Sequence, residues 1–280
     1  MNLLELLLAV PLGLLAGGFV TMLVDRMPDA TALSWRSRCP HCSHRLSLVD
    51  TIPLISWFAR RGECRHCSAR ITAAYPLVEA VTAGLLVLAV WQVGVTWRLL
   101  PIAVLIVALV ALSVIDLYVY RLPDRLMFPS IVLSLVAIVV ASMAIGYPEA
   151  IWRSLAGGIG YFVFLLIAHL ISPRGMGFGD VKLALLLGLH LGFTAGSRYE
   201  EWSTVSRLVF YALFMGCVLG VVVGLSVALV RRFAGRDLVP DPEAEGDQPA
   251  KLLQNSFPFG PALAAATLIA VLFSDAVLGV

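Results

Sequence analysis

Two groups of residues in this chain have the types and spacing that chemistry requires. Four of the five cysteines fall in CPHC, residues 39–42, and CRHC, residues 64–67. Two aspartates, Asp116 in SVIDLYVYRLPD and Asp180 in RGMGFGDVKL, interrupt stretches that are otherwise apolar. A two-residue gap lets one tight turn aim two thiolates at a single tetrahedral metal. Cys39, Cys42, Cys64 and Cys67 therefore read as a four-thiolate structural zinc site, with a pair of disulfides as the competing reading. His41 and His66 are either substitute ligands or exposed residues of the two knuckles. Cys217, in an apolar stretch, reads as packing.

Ionisable residues in or beside membrane-spanning helices are expensive and are functional hypotheses by default. Asp116 and Asp180 are expected at the same membrane depth, Asp116 ending one helix and Asp180 at the N-cap of another. Two carboxylates brought within a few ångströms share a proton, so one can act as base on a water while the other acts as acid. Such a dyad hydrolyses an amide without a serine, cysteine or metal nucleophile. The plainer reading is that each caps a helix or pairs with Arg121 or Lys182. Asp124, eight residues after Asp116, is a rival for the first position and reads as structural or supporting. Gly175, Gly177 and Gly179 ahead of Asp180 remove side chains and are expected to let a backbone come close to it. Glu79 in YPLVE is expected either to contact a cationic group or to pair with an arginine of the cysteine segment. Glu5 and Asp275 read as interfacial, and His169 and His190 as satisfied core residues.

These side chains need a scaffold, and composition says which kind. The chain has 280 residues, 60% hydrophobic and 14% charged, with a mean hydropathy of +0.91. That excludes an ordinary soluble domain, and the unbroken apolar runs exclude an alternating β-barrel. The net charge of +2 gives no reason to expect nucleic acid. The expected fold is all-α, a polytopic bundle of about eight transmembrane helices over 3–24, 75–95, 98–115, 126–147, 152–172, 181–194, 207–230 and 257–279. The sixth of these is short for a crossing. A small zinc-binding domain, 25–74, separates the first span, 1–24, from a core over 75–280 that contains a flexible polar loop near 231–256. If 25–74 is cytoplasmic, alternation puts sixteen of the twenty basic residues inside and leaves Arg98, Arg153, Arg198 and Arg207 outside. Both termini are then periplasmic.

Several stretches, taken in order, resemble the type IV prepilin peptidase family, also called prepilin leader peptidase/N-methyltransferase, a branch of the GxGD intramembrane aspartyl proteases. They are GLLAGGFVTMLVDRMP, CPHC, LVDTIPLISWFARRGECRHC, ITAAYPLVEAVTA, IDLYVYRLPD, GMGFGDVKLA and FPFGPALA. Gly18 and Thr21 depart from the family's first motif, which tends to carry Ser and Asn there. The resemblance implies Asp116 and Asp180 as the catalytic pair, Gly177 and Gly179 in the substrate loop, and a multi-pass protein of the bacterial inner membrane. It implies removal of the basic leader of prepilins or pseudopilins after a glycine, at the cytoplasmic face, for a type IV pilus or type II secretion system. It also implies methylation of the new N-terminal residue with S-adenosyl-L-methionine, bound without a Rossmann-type glycine fingerprint. Membrane lipid and prepilins are the expected partners. A peptidase without methylation, a GxGD protease of non-pilin substrates, and a proton- or metal-coupled transporter remain as alternatives. Against the transporter, no internal repeat is found.

Overall fold

The structure is a computed structural model that describes residues 3–26, 42, 44, 53–173, 176–199, 201–234 and 259–279. These residues are almost entirely helical: α1 (Leu3–Arg26), α2 (Ile55–Ala59), α3 (Ala74–Val93), α4 (Leu99–Val119), α5 (Asp124–Ala144), α6 (Glu149–Ile171), α7 (Phe178–Arg198), α8 (Ser203–Ala234), α9 (Gly260–Leu272) and α10 (Ser274–Leu278). Seven of the described helices are long and apolar enough to cross a membrane. The protein is a multi-pass membrane bundle.

Two expectations change. The sixth span, expected at 181–194, is the full 21-residue helix α7. The last, expected at 257–279, is a 13-residue helix followed by a turn and the short α10. The short member of the bundle is therefore the final one. Most of the polar loop, 235–256, lies outside the described residues, as does Cys39.

Lipid is as apolar as leucine, so close approach of backbones rather than oil-like exclusion holds such helices together. The sequence supplies that approach with small residues at four-residue spacing. On α1, a Cβ at Gly13 would stand 2.8 Å from the Cα of Ala83, and one at Gly17 would stand 2.7 Å from the Cα of Glu79, so α1 and α3 touch backbone to backbone. On α7, Gly188, Gly192 and Gly196 repeat the device against Gly157, Ser154 and Ala150 of α6. α6 and α7 form the most extensive helix pair in the molecule. Ser154 secures it by donating to the Leu189 carbonyl at 2.7 Å.

α4 is the axis of the bundle, packed by α1 and α3 on one side and by α5, α7 and α9 on the other. Its end is set by Tyr120 in the left-handed conformation, whose N–H closes on the Asp116 carbonyl at 2.9 Å. Pro123, extended, then starts α5. At the other end of the bundle the four arginines that charge alternation set apart are all engaged. Arg98 donates to the Ser197 carbonyl at 2.5 Å and Arg207 to the Leu278 carbonyl at 3.0 Å. Arg153 donates to the Tyr199 carbonyl, and Arg198 donates to Ser274 at 2.8 Å. Asp275 accepts from Tyr199 and pairs with Arg198. These cations cap helix ends that would otherwise leave bare carbonyls.

Candidate active site

Asp116 lies in the last turn of α4 and Asp180 in the first turn of α7, both buried, at 6% and 9% exposure. A Cβ built on Gly260, the first residue of α9, would meet Oδ2 of Asp116 at 2.8 Å and Oδ1 of Asp180 at 3.7 Å. The two carboxylates thus converge on one glycine, and those oxygens are no farther apart than the sum of the two distances. Asp116 lies against Gly260, the first residue of α9, and Asp180 lies in the first turn of α7. Two helix N-termini, the favourable ends for negative charge, are therefore aimed at the pair.

Asp180 is not the N-cap. Gly177 occupies that position, and Asp180, three residues on, is the acidic residue of the first turn, where the helix N-terminus favours negative charge. A Cβ built on Gly177 would stand 3.6 Å from Oδ2 of Asp180, and one on Gly179 would stand 3.3 Å from the side chain of Leu122. Gly175 lies outside the described residues. The glycine that clears space at the carboxylates is Gly260. It sits in FPFGPALA, but nothing in a lone glycine after a phenylalanine marks it as facing an aspartate a hundred and more residues away.

The neighbouring ionisable groups have other employment. Asp124 pairs with Lys182 at 2.6 Å, half-exposed, clamping the start of α5 to α7. Lys182 also lies over the rings of Phe128 and Phe178. His169 holds the Met176 carbonyl at 2.9 Å and so fixes the approach to α7. His190, fully buried, is satisfied by the carbonyls of Leu186 and Pro101. Glu79 accepts the Leu54 N–H at 2.8 Å, steadying a residue with φ of 60°, and no arginine contact is found for it among the described residues.

Cys42, Cys64 and Cys67 place their sulfurs within 4.8 Å of one another. Bonds of about 2.3 Å to one tetrahedral zinc need sulfurs roughly 3.8 Å apart, so the described three fit such an ion. The CRHC knuckle is shaped by backbone bonds from Cys64 N–H to Ala69 and from Ser68 N–H to Cys64. Across the knuckle Glu63 and Arg70 form an antiparallel bridge, and Trp57 of α2 donates to Ile71 at 3.2 Å.

One pair escaped the sequence reading. Asp25, one residue past the expected end of the first span, accepts from the Tyr75 hydroxyl at 2.9 Å. A carboxylate next to a predicted span boundary was the available signal.

Against known proteins, residues 12–93 match the Bacterial Peptidase A24 N-terminal domain and residues 103–225 match the Type IV leader peptidase family. A prepilin leader peptidase/N-methyltransferase of Stutzerimonas stutzeri is 30% identical, the match covering 96% of this chain and 91% of that protein. One from Pseudomonas aeruginosa is 29% identical, over 96% and 90%, and one from Bacillus subtilis is 28% identical, over 95% and 93%. The chain belongs to the type IV leader peptidase family. Asp116 and Asp180 both lie inside the segment matched by that family, and the cysteine knuckles lie inside the N-terminal match. No solved structure matches the chain.

Proposed function

We propose that this protein is a bifunctional membrane enzyme that removes the leader of prepilins or pseudopilins and methylates the new N-terminus. The observation that supports it best is the convergence of Asp116 and Asp180 on Gly260 in a chain of this family. Converging on one glycine, the two carboxylates work as a pair that shares one proton. The ionised member takes a proton from water as that water attacks the scissile carbonyl, and the protonated member donates to the carbonyl oxygen. The resulting tetrahedral species collapses when a proton passes to the leaving nitrogen, breaking the C–N bond and restoring the pair. Burial keeps these charges out of bulk water, where their interactions would be weak.

The dyad sits at the end of the bundle that carries the cysteine knuckles. With that end cytoplasmic, in the bacterial inner membrane, a substrate anchored by one apolar helix and holding its basic leader inside presents its cleavage site at the right depth. Cys39, Cys42, Cys64 and Cys67 hold a structural zinc that braces the 25–74 segment. Gly177 and Gly179 belong to the stretch ahead of Asp180 that meets the substrate. When bound, S-adenosyl-L-methionine supplies an electrophilic methyl group that the new amine takes with its lone pair, leaving a neutral thioether and one proton. Glu79 serves this half by holding the segment around Leu54 against α3.

The test is a time course with a purified prepilin followed by mass spectrometry. The expected sequence is loss of the leader, then a gain of one methyl group. Glu79→Ala is expected to cut normally and to leave its product largely unmethylated. A wild-type enzyme that cuts but never methylates reduces the function to a peptidase, and one that does neither overturns the reading.

A further inference from the structure

α1, α3 and α4 enclose a cavity of about 300 Å³ at the same end of the bundle as the dyad, lined by Thr21, Asp25, Tyr75, Val78, Ile115 and Tyr118 among others. That volume is at the lower bound for small-molecule sites, which are typically apolar with a few placed polar groups. Its walls are mainly aliphatic, with two phenol rings, Tyr75 and Tyr118, and one carboxylate, Asp25. The carboxylate is held in place by the Tyr75 hydroxyl. Thr21 is turned to its own helix, donating to the Gly18 carbonyl at 2.9 Å, so Asp25 is the dominant polar feature.

The cavity is not part of the dyad. At about 100° per residue, Val114, Ile115, Tyr118 and Val119 share one face of α4, and Asp116 falls outside that arc. Asp116 turns instead to α9 and α7, neither of which contributes to the lining. A leaving leader or a scissile bond at the dyad therefore does not fill this space. An aryl or alkyl body carrying one positive charge does fit it: aromatic faces and a carboxylate together are the recognition chemistry of a sulfonium or ammonium ion.

We propose that this cavity is the methyl-donor site, with Asp25 and the rings of Tyr75 and Tyr118 recognising the sulfonium of S-adenosyl-L-methionine. This rests on the reading of the protein as a methylating enzyme. It also explains how one small bundle runs two unlike reactions: α4 separates them, cleavage on one face and methyl donation on the other. A new amine then has only to pass around the end of α4.

The decisive readout is charge recognition, measured by equilibrium dialysis of the full-length detergent-solubilised protein with radiolabelled S-adenosyl-L-methionine and with its neutral thioether counterpart, S-adenosyl-L-homocysteine. Wild type is expected to prefer the sulfonium, and Asp25→Asn to lose about tenfold of that preference, since one carboxylate–cation contact at a half-exposed site is worth about that much. Tyr75→Phe, which frees the carboxylate without removing the ring, is expected to lose less. A general loosening of the fold would weaken both ligands alike, and thermal melting of the ligand-free variants reports it separately. An unchanged preference in Asp25→Asn, with donor still bound, overturns this site and leaves the methylating function standing. Intact donor binding with a raised KM for prepilin in the same variant assigns the cavity to the leader's cationic side chains instead, and also overturns it. A wild type that binds no donor and methylates nothing removes both the site and the function it rests on.

Discussion

At the scale of single residues, the site depends on two side chains and one missing side chain. Asp116→Asn and Asp180→Asn are each expected to lower leader cleavage by at least about a thousandfold, because a single carboxylate cannot be both acid and base in one turnover. Both variants keep the size of the side chain and should still insert and fold, as a thermal melt will show. Asp124→Asn breaks only the exposed pair with Lys182, and such pairs are worth about 1 kcal/mol or less. It should keep most of its activity, and a dead Asp124→Asn beside an active Asp116→Asn would move the dyad. Gly260 is the sharper case. A methyl group there would stand 2.8 Å from Asp116 Oδ2, inside any real contact distance, so Gly260→Ala must displace the carboxylate. Cleavage is expected to fall at least about tenfold with the melting temperature little changed. Full activity in Gly260→Ala would mean that the carboxylates do not work in the arrangement described.

Among the elements, what the sequence revealed and what it hid have one physical cause. Apolar runs of membrane length mark a helix whether it faces lipid or other helices, so α4, α5 and α8, with mean hydropathies of 2.8, 2.4 and 2.5, were legible as spans. α7 has the lowest value, 1.3, and is the most buried, at 78% of its window. A helix surrounded by other helices can spend positions on Gly188, His190, Gly192 and Gly196, which lowers its hydropathy, and the weakly apolar ends 178–180 and 195–198 were left out of the expected span. The cysteine knuckles and the two aspartates were legible because their chemistry is local in sequence. The meeting of Asp116, Asp180 and Gly260 was not, since it is made by packing between α4, α7 and α9. The same packing makes a prediction for α7. Gly192→Val drives a branched side chain into the backbone of Arg153 and Ser154, and should cost about 2–4 kcal/mol of bundle stability. Gly160→Val, on the same partner helix with open space beside it, should cost far less. Thermal melts of the two variants in one detergent give the comparison, and equal melting would show that α6 and α7 are not packed as closely as described.

For the whole molecule, the question is which side of the membrane the dyad faces, and the distribution of basic residues makes a prediction. The end whose short loops carry the excess of Lys and Arg stays in the cytoplasm. Arg98, Arg153, Arg198 and Arg207, the four at the end opposite the dyad, each bind a backbone carbonyl or a side chain of a neighbouring helix end. They cap the helix ends there and are outnumbered by the basic residues at the other end. The basic residues near the dyad end, among them Arg60, Arg61, Arg65 and Arg121, should therefore orient the chain, putting the cysteine knuckles and the dyad in the cytoplasm. Tyr147, exposed in the turn between α5 and α6 at the opposite end, offers a reporter. Tyr147→Cys, in a background with Cys217 replaced, should react with a membrane-impermeant maleimide added to intact spheroplasts. A cysteine at Arg121, beside the dyad, should react only after the membrane is opened. The reverse pattern would place Asp116 and Asp180 on the side that a basic leader does not reach, and the cleavage mechanism would fall with the orientation.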